Sequence, residues 1–284
     1  MTFLILGATG LQGGAVAREL LGRGQSVRIL TRRANSAKAR ALSAMGAEVI
    51  VADLSQPDTL PPAFDGIDGV FSVQDFYAPG AGLVGELKQG RAVIAAAGAA
   101  GVRHIVQSGM GDGHTPGGPA HFVSKALLER ELKDSGINCT LLGTVWFMDN
   151  LLNPVMKPQM LFPVLAGSLH PDTPFQMLGV DDLGWIASEA LTNPKTWAGR
   201  KINLAGDVMT VPEMKRAYRE VTGRRPKGWR IPAALFRRLV PEFAEQLAWH
   251  NCINFNFGSD ALRAARPNAT TFRDFLRRHA VANL

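Results

Sequence analysis

Through the first 150 residues, short β-branched apolar runs alternate with longer Ala- and Leu-rich stretches of helical periodicity. Such alternation builds a parallel sheet covered by helices on both faces. The predicted strands are TFLILG (2–7), SVRILT (26–31), AEVIVAD (47–53), GVFSV (69–73), HIVQS (104–108) and NCTLLG (138–143). Helices are predicted near 11–22, 36–45, 86–100 and 120–135, several of them closed by Gly24, Gly46, Gly101 and Gly136. Beyond about residue 150 the alternation fails, and Pro154, Pro158, Pro163, Pro171 and Pro174 punctuate a loop-rich stretch. Helical patterns return at 181–191, 211–221, 233–249 and 270–280, with a further strand candidate at RKINLA (200–205). No internal repeat or low-complexity tract interrupts the chain. The expected architecture is α/β: a doubly wound parallel sheet over 1–150, then a smaller, mostly helical C-terminal lobe over 151–284 whose later segments are free to return to the sheet.

Composition narrows the class. With 284 residues, 46% hydrophobic and 19% charged, the chain has enough apolar side chains for a full-sized core. No apolar run reaches the roughly 18 residues that cross a bilayer, and MTFLILGATG breaks into glycines too early for a signal peptide. A cytoplasmic protein with no membrane partner is expected. Cys139 and Cys252 stand far apart, without CxxC or histidines at ligand spacing. They are expected to be buried small hydrophobes, and no metal site is expected. The net charge of +7 is uneven: residues 200–284 carry 16 Lys+Arg against 7 Asp+Glu, or +9, and residues 1–199 carry 15 against 17, or −2. The arginines are scattered singly or in pairs and no nucleic-acid recognition motif accompanies them, so direct nucleic-acid binding is disfavoured.

The first strand runs into LILGATGLQGGAVAREL (4–20), which sets Gly7, Gly10 and Gly13 at GxxGxxG spacing ahead of a helix. The first glycine permits the tight turn, the second lets backbone approach a pyrophosphate, and the third lets helix pack on sheet. Free N–H groups and the positive end of the helix dipole then attract phosphate. Gly7, Thr9, Gly10, Leu11, Gln12 and Gly13 are the predicted dinucleotide contacts of a Rossmann-type domain. An NAD-selective site places a carboxylate about 20 residues on, at the end of the second strand. This chain has Thr31-Arg32-Arg33 there, so Arg32 is predicted to fork onto a 2′-phosphate and NADP is preferred over NAD. Arg33 and Lys38 either assist or are surface charges. Asp53 and Leu54 either flank the adenine, or Asp53 caps the following turn. Gln74, with Asp75 and Phe76, follows the fourth strand at the sheet's carboxyl edge, where a dinucleotide crosses.

The segments GATGLQGGAVA (7–17), TRR (31–33), VQSG (106–109), HFVSK (121–125), WFMDNLL (146–152), VDDLG (180–184) and FRDFL (272–276) together resemble the NmrA-like family of atypical short-chain dehydrogenase relatives, closest to the branch of animal NADPH sensors. The resemblance implies a Rossmann domain, an NADP(H) site, and a C-terminal lobe forming a cleft for a small-molecule substrate or a regulatory protein partner, in a monomer or homodimer. In catalytic short-chain dehydrogenases a Tyr stands four residues before a Lys and gives a proton to the substrate carbonyl. Here that place is held by His121, while Lys125 is retained and is expected on the nicotinamide ribose. Ser108 matches the substrate-orienting serine, and Phe147, with Met148 and Asn150, either walls the nicotinamide or packs in the core. The basic residue that the sensor branch puts soon after the second-strand arginine falls at Ser36 or Ala37, with Lys38 the nearest substitute.

Loss of a positioned acid costs typically about 10²- to 10⁴-fold in rate without touching cofactor affinity. Two functions follow. A redox sensor that binds NADP(H) and reports it through its shape ranks first by a small margin. The alternative is an NADPH-dependent reductase of quinone-like or other small electrophilic substrates, with His121 as the acid, since imidazole as a class titrates near about 6.5. A quinone accepts hydride without a strong enzymic acid, so the missing Tyr does not exclude that chemistry. His121 is otherwise a packing residue.

Overall fold

The computed structural model describes residues 1–111, 118–153, 156–226, 229–252 and 257–279. Pro154, and Ala280 at the end of the predicted helix 270–280, lie outside the described residues. The strands are β1 (Thr2–Ile5), β2 (Ser26–Thr31), β3 (Glu48–Val51), β4 (Gly69–Ser72), β5 (His104–Met110), β6 (Cys139–Thr144), β7 (Trp146–Phe147), β8 (Phe175–Leu178), β9 (Lys201–Asn203) and β10 (Asp207–Met209). Seven of them form one sheet in the order β3-β2-β1-β4-β5-β6-β9, and β3-β2, β2-β1, β1-β4 and β4-β5 are parallel pairs. The order reverses between β1 and β4, as in a doubly wound Rossmann-type sheet. Every position of β4 and β6 is buried, the signature of strands covered on both faces. The edge strand β3 exposes Glu48, which pairs with Arg28 at 2.7 Å and keeps that edge polar.

The helices are α1 (Leu11–Gly22), α2 (Ala37–Ala44), α3 (Pro61–Phe64), α4 (Gly82–Ala99), α5 (Ala120–Asp134), α6 (Pro158–Ser168), α7 (Val180–Thr192), α8 (Pro194–Trp197), α9 (Val211–Thr222), α10 (Ala233–Leu239), α11 (Pro241–Cys252), α12 (Asp260–Ala265) and α13 (Phe272–His279). Among the described residues the chain groups into two compact units. The first comprises Met1–Met110, Ala120–Gly143 and Leu183–Ile202. Its core includes Leu4, Leu30, Phe64, Val70, Ile105 and Leu141, and α4 lies against α5. The second comprises Gly111–Pro119, Thr144–Asp182 and Asn203–Leu284. It holds the small sheet β10-β8-β7 and a core that includes Met148, Phe162, Phe175, Tyr218 and Phe272. Asp182, wholly buried at the start of α7, accepts the Thr270 N–H at 2.9 Å and faces Arg266 at 3.2 Å. Asp182 of the VDDLG segment therefore holds the start of α7 to the stretch between α12 and α13.

Several expectations need correction. The proline-punctuated stretch contains α6, which starts with Pro158 in its first turn and tolerates Pro163 inside it; the Pro163 carbonyl accepts the Ile231 N–H at 3.0 Å. The predicted helix 233–249 is two helices, because Pro241 pushes Val240 out of the α region, to φ −140°, ψ 72°. Cys139 is buried as expected, whereas Cys252, the last residue of α11, is exposed. Strands β7, β8 and β10 were not foreseen.

Candidate functional site

After β1 the chain turns through residues 6–9 into α1. Gly7 takes φ +62°, and a Cβ on it would meet Val73 Cγ1 at 2.8 Å. At Gly13 a Cβ would lie 2.5 Å from the carbonyl carbon and oxygen of Gly7, and closer still to the Leu6 oxygen. Main chain cannot yield there as a side-chain tip can, so helix and strand meet only across a glycine. Gly10 is the N-cap of α1, no side chain caps the first turn, and no acidic residue stands in it. The opening N–H groups of a helix have no intrahelical partner, and here no carboxylate competes for them. Thr9 and Gln12 are half-buried, while Gly7, Gly10 and Leu11 are exposed. This corner fits the pyrophosphate of a dinucleotide: an uncapped helix start, bare backbone and a cradle that any Cβ would fill.

Past β2, Arg32 is exposed and has neither an ion pair nor a side-chain hydrogen bond among the described residues. Lys38 is also exposed, and Ser36 is used as the N-cap of α2, accepting from the Ala39 N–H at 3.2 Å. Asp53 accepts the Ser55 N–H through Oδ1 at 2.9 Å, closing the turn, and Leu54 packs on the sheet core. The turn-capping alternative for Asp53 is thus realised in the structure. Phe147 is buried on β7 in the second unit, beside Leu178 of β8.

A buried polar chain lies along the carboxyl ends of β4 and β5. Gln107 donates to Gln74 Oε1 at 3.0 Å, and Gln74 donates to Ser72 Oγ at 2.8 Å. Ser108, the serine of the resemblance, donates to Gln12 Oε1 at 2.6 Å. Its hydroxyl is therefore linked to the first turn of α1.

His121, Ser124 and Lys125 lie on one face of α5, at i, i+3 and i+4, and all three reach a residue the sequence reading had passed over. Glu86 of α4 has no solvent exposure; its Oε1 is 2.7 Å from Lys125 Nζ, and its Oε2 accepts the Ser124 hydroxyl and lies 3.7 Å from His121 Nδ1. Burial pushes the Glu86 carboxyl up, but the His121 ring and the Lys125 ammonium outweigh it and hold the pKa at about 2. The imidazole is walled by Phe76, with centroids 4.7 Å apart at 64°, and by Tyr77, 5.4 Å apart at 43°. Phe76 itself is buried, and the Asp75 N–H donates to Gln89 of α4 at 3.2 Å. The signal for Glu86 was present: with Gly90, Val93 and Ala97 it makes a buried i, i+4, i+7, i+11 stripe on α4. Among the described residues no three His, Cys, Asp or Glu side chains gather as metal ligands, and no helix is long and apolar enough to cross a membrane.

The profile of the NmrA-like family matches residues 1–261. This chain belongs to the NmrA-like family. Over 252 residues the NmrA-like chain is 31% identical to FrzB of Cladobotryum sp., an NmrA-like family domain-containing oxidoreductase, covering 79% of this chain and 75% of that one. Its fold is similar to that of the Citrobacter sp. triphenylmethane reductase complexed with NADP(H), with TM-score 0.80 and 21% identity over 99% of this chain and 100% of that one. It is also similar to NmrA, a negative transcriptional regulator, in complex with NADP, with TM-score 0.78 and 19% identity over 99% and 95% of the two chains.

Proposed function

We propose that this NmrA-like chain binds NADP(H) at the opening turn of α1 and reduces a small quinone-like or other electrophilic acceptor. The uncapped, acid-free helix start behind Gly7 and Gly13 supports the pyrophosphate site, and unpaired Arg32 supports choice of the 2′-phosphate. The observation that carries the enzymatic reading is the buried Glu86 beside both His121 and Lys125. Lys125 compensates the buried carboxylate, and the second carboxylate oxygen is turned toward His121 at the place of the usual acid, which supports proton chemistry there. Glu86 moves reduction ahead of sensing, which the sequence alone ranks first.

Bound NADPH supplies a hydride. The rest is work for this chain's residues. Lys125, fixed by Glu86, is the candidate to hold the nicotinamide ribose, and His121 is the candidate proton source. Ser108 orients the acceptor once Gln12 releases its hydroxyl. The sensor reading keeps one specific support, the histidine at the position of the usual acid, and the likeness to the regulator NmrA is in keeping with it. Purified protein incubated with NADPH and a panel of quinones, followed by cofactor absorbance, is expected to show catalytic turnover. Binding without turnover for every acceptor would leave the sensor reading in its place.

A further inference from the structure

A carboxylate placed only to neutralise Lys125 needs one oxygen. Glu86 gives that oxygen, Oε1, to Lys125 at 2.7 Å and turns the other toward Ser124 and His121. His121 Nδ1 is buried and has no hydrogen-bond partner among the described residues. At 3.7 Å it is just beyond hydrogen-bond length, and Oε2 is the Glu86 oxygen that faces it. Leaving a buried nitrogen open is unfavourable, which favours a closer approach to Oε2. Phe76 and Tyr77 stand against the ring, and the single Ser124 O–H lies between Glu86 Oε2 and the His121 carbonyl, 3.0 Å from the latter. Catalytic acids in unfinished sites often show such long contacts, which tighten when the site is filled.

Resting on the reductase reading, we propose that Glu86 is a positioning residue that takes the Nδ1–H of His121, so that Nε2 is the nitrogen that gives its proton to the acceptor oxygen. The balance is complete: the acceptor gains a hydride and its two electrons from the bound cofactor and one proton from the imidazolium. The imidazolium becomes a neutral ring that keeps Nδ1–H on Glu86 and regains its Nε2 proton from water. A carboxylate behind a histidine thereby sets both ring orientation and tautomer.

The test pairs ¹⁵N NMR of the His121 ring with steady-state kinetics of NADPH oxidation by a quinone, in the wild-type protein and in Glu86→Gln. The wild-type neutral ring is expected in the Nδ1–H form. Glu86→Gln is expected to lose that preference and to lower kcat by about 10- to 100-fold, and the ring tautomer separates this effect from any that reaches the cofactor through Lys125. Should the single variant not fold, Glu86→Gln/Lys125→Met strands no buried charge and carries the tautomer measurement. Unchanged ring signals, or a wild-type kcat in Glu86→Gln, overturn the role of Glu86 while leaving reduction intact. Absence of quinone reduction by the wild-type protein defeats the reductase reading itself, and proton delivery with it.

Discussion

At Gly13 the space for a side chain is already filled by the main chain of residues 6 and 7. Gly13→Ala is therefore expected to force α1 away from β1, costing about 1–3 kcal/mol as overpacking does, and to remove nicotinamide nucleotide binding. Urea denaturation and a binding titration on the same preparation measure both effects; an alanine variant with wild-type stability and affinity would contradict the close contact. This residue was legible because its spacing carries a mechanical requirement that few other arrangements satisfy. Glu86 was harder to see. One acid in an Ala/Gly-rich helix reads as solvated surface until the stripe through Gly90 and Val93 is traced, and nothing local in the sequence couples it to His121 and Lys125, 35 and 39 residues later. Tyr77 was missed for the same reason, since its place beside His121 is set by tertiary packing.

At the scale of elements, the strands of the large sheet were readable because burial on both faces leaves continuous apolar runs between glycines. Strand β2 and helix α1 fall on the expected residues, and β9 within its candidate segment. The small sheet was not readable: β7 has two residues and β10 three, too short for alternation to register, and β8 lies among prolines. Prolines misled in both directions. Pro163 sits inside α6, while Pro241 divides what the apolar pattern joined. Helical periodicity says nothing of a missing backbone donor, so a break at Pro241 must be read from the residue itself. The VDDLG segment, informative as a family resemblance, has a structural task through Asp182, which no periodicity announces.

For the molecule as a whole, the buried ionisable groups predict acid sensitivity in two stages. His104 on β5 bonds Thr140 Oγ1 through Nε2 at 2.9 Å, and burial pushes its pKa down from 6.5 to about 4. Between those values the unfolded chain binds a proton that the folded chain refuses, so stability falls as pH drops through the window, by up to about 3 kcal/mol. Glu86, held at about 2 against an ordinary 4.5, contributes stability above 4.5 that is lost as pH falls further. Thermal melting should decline from pH 6.5 downward and more steeply below 4.5. His104→Gln, which preserves a bonding atom for Thr140, should flatten only the upper stage; an unchanged profile would sink the assignment to His104. The family, the sheet and the glycine corner all converge on one claim, that the first turn of α1 is built to take a nicotinamide dinucleotide. Calorimetric titration of the folded protein with NADPH and NADH, repeated on Arg32→Ala, tests it most directly. The account predicts NADPH binding tighter than NADH, with most of that preference lost in Arg32→Ala; no heat of binding from either nucleotide, or equal losses for both in the variant, would contradict it.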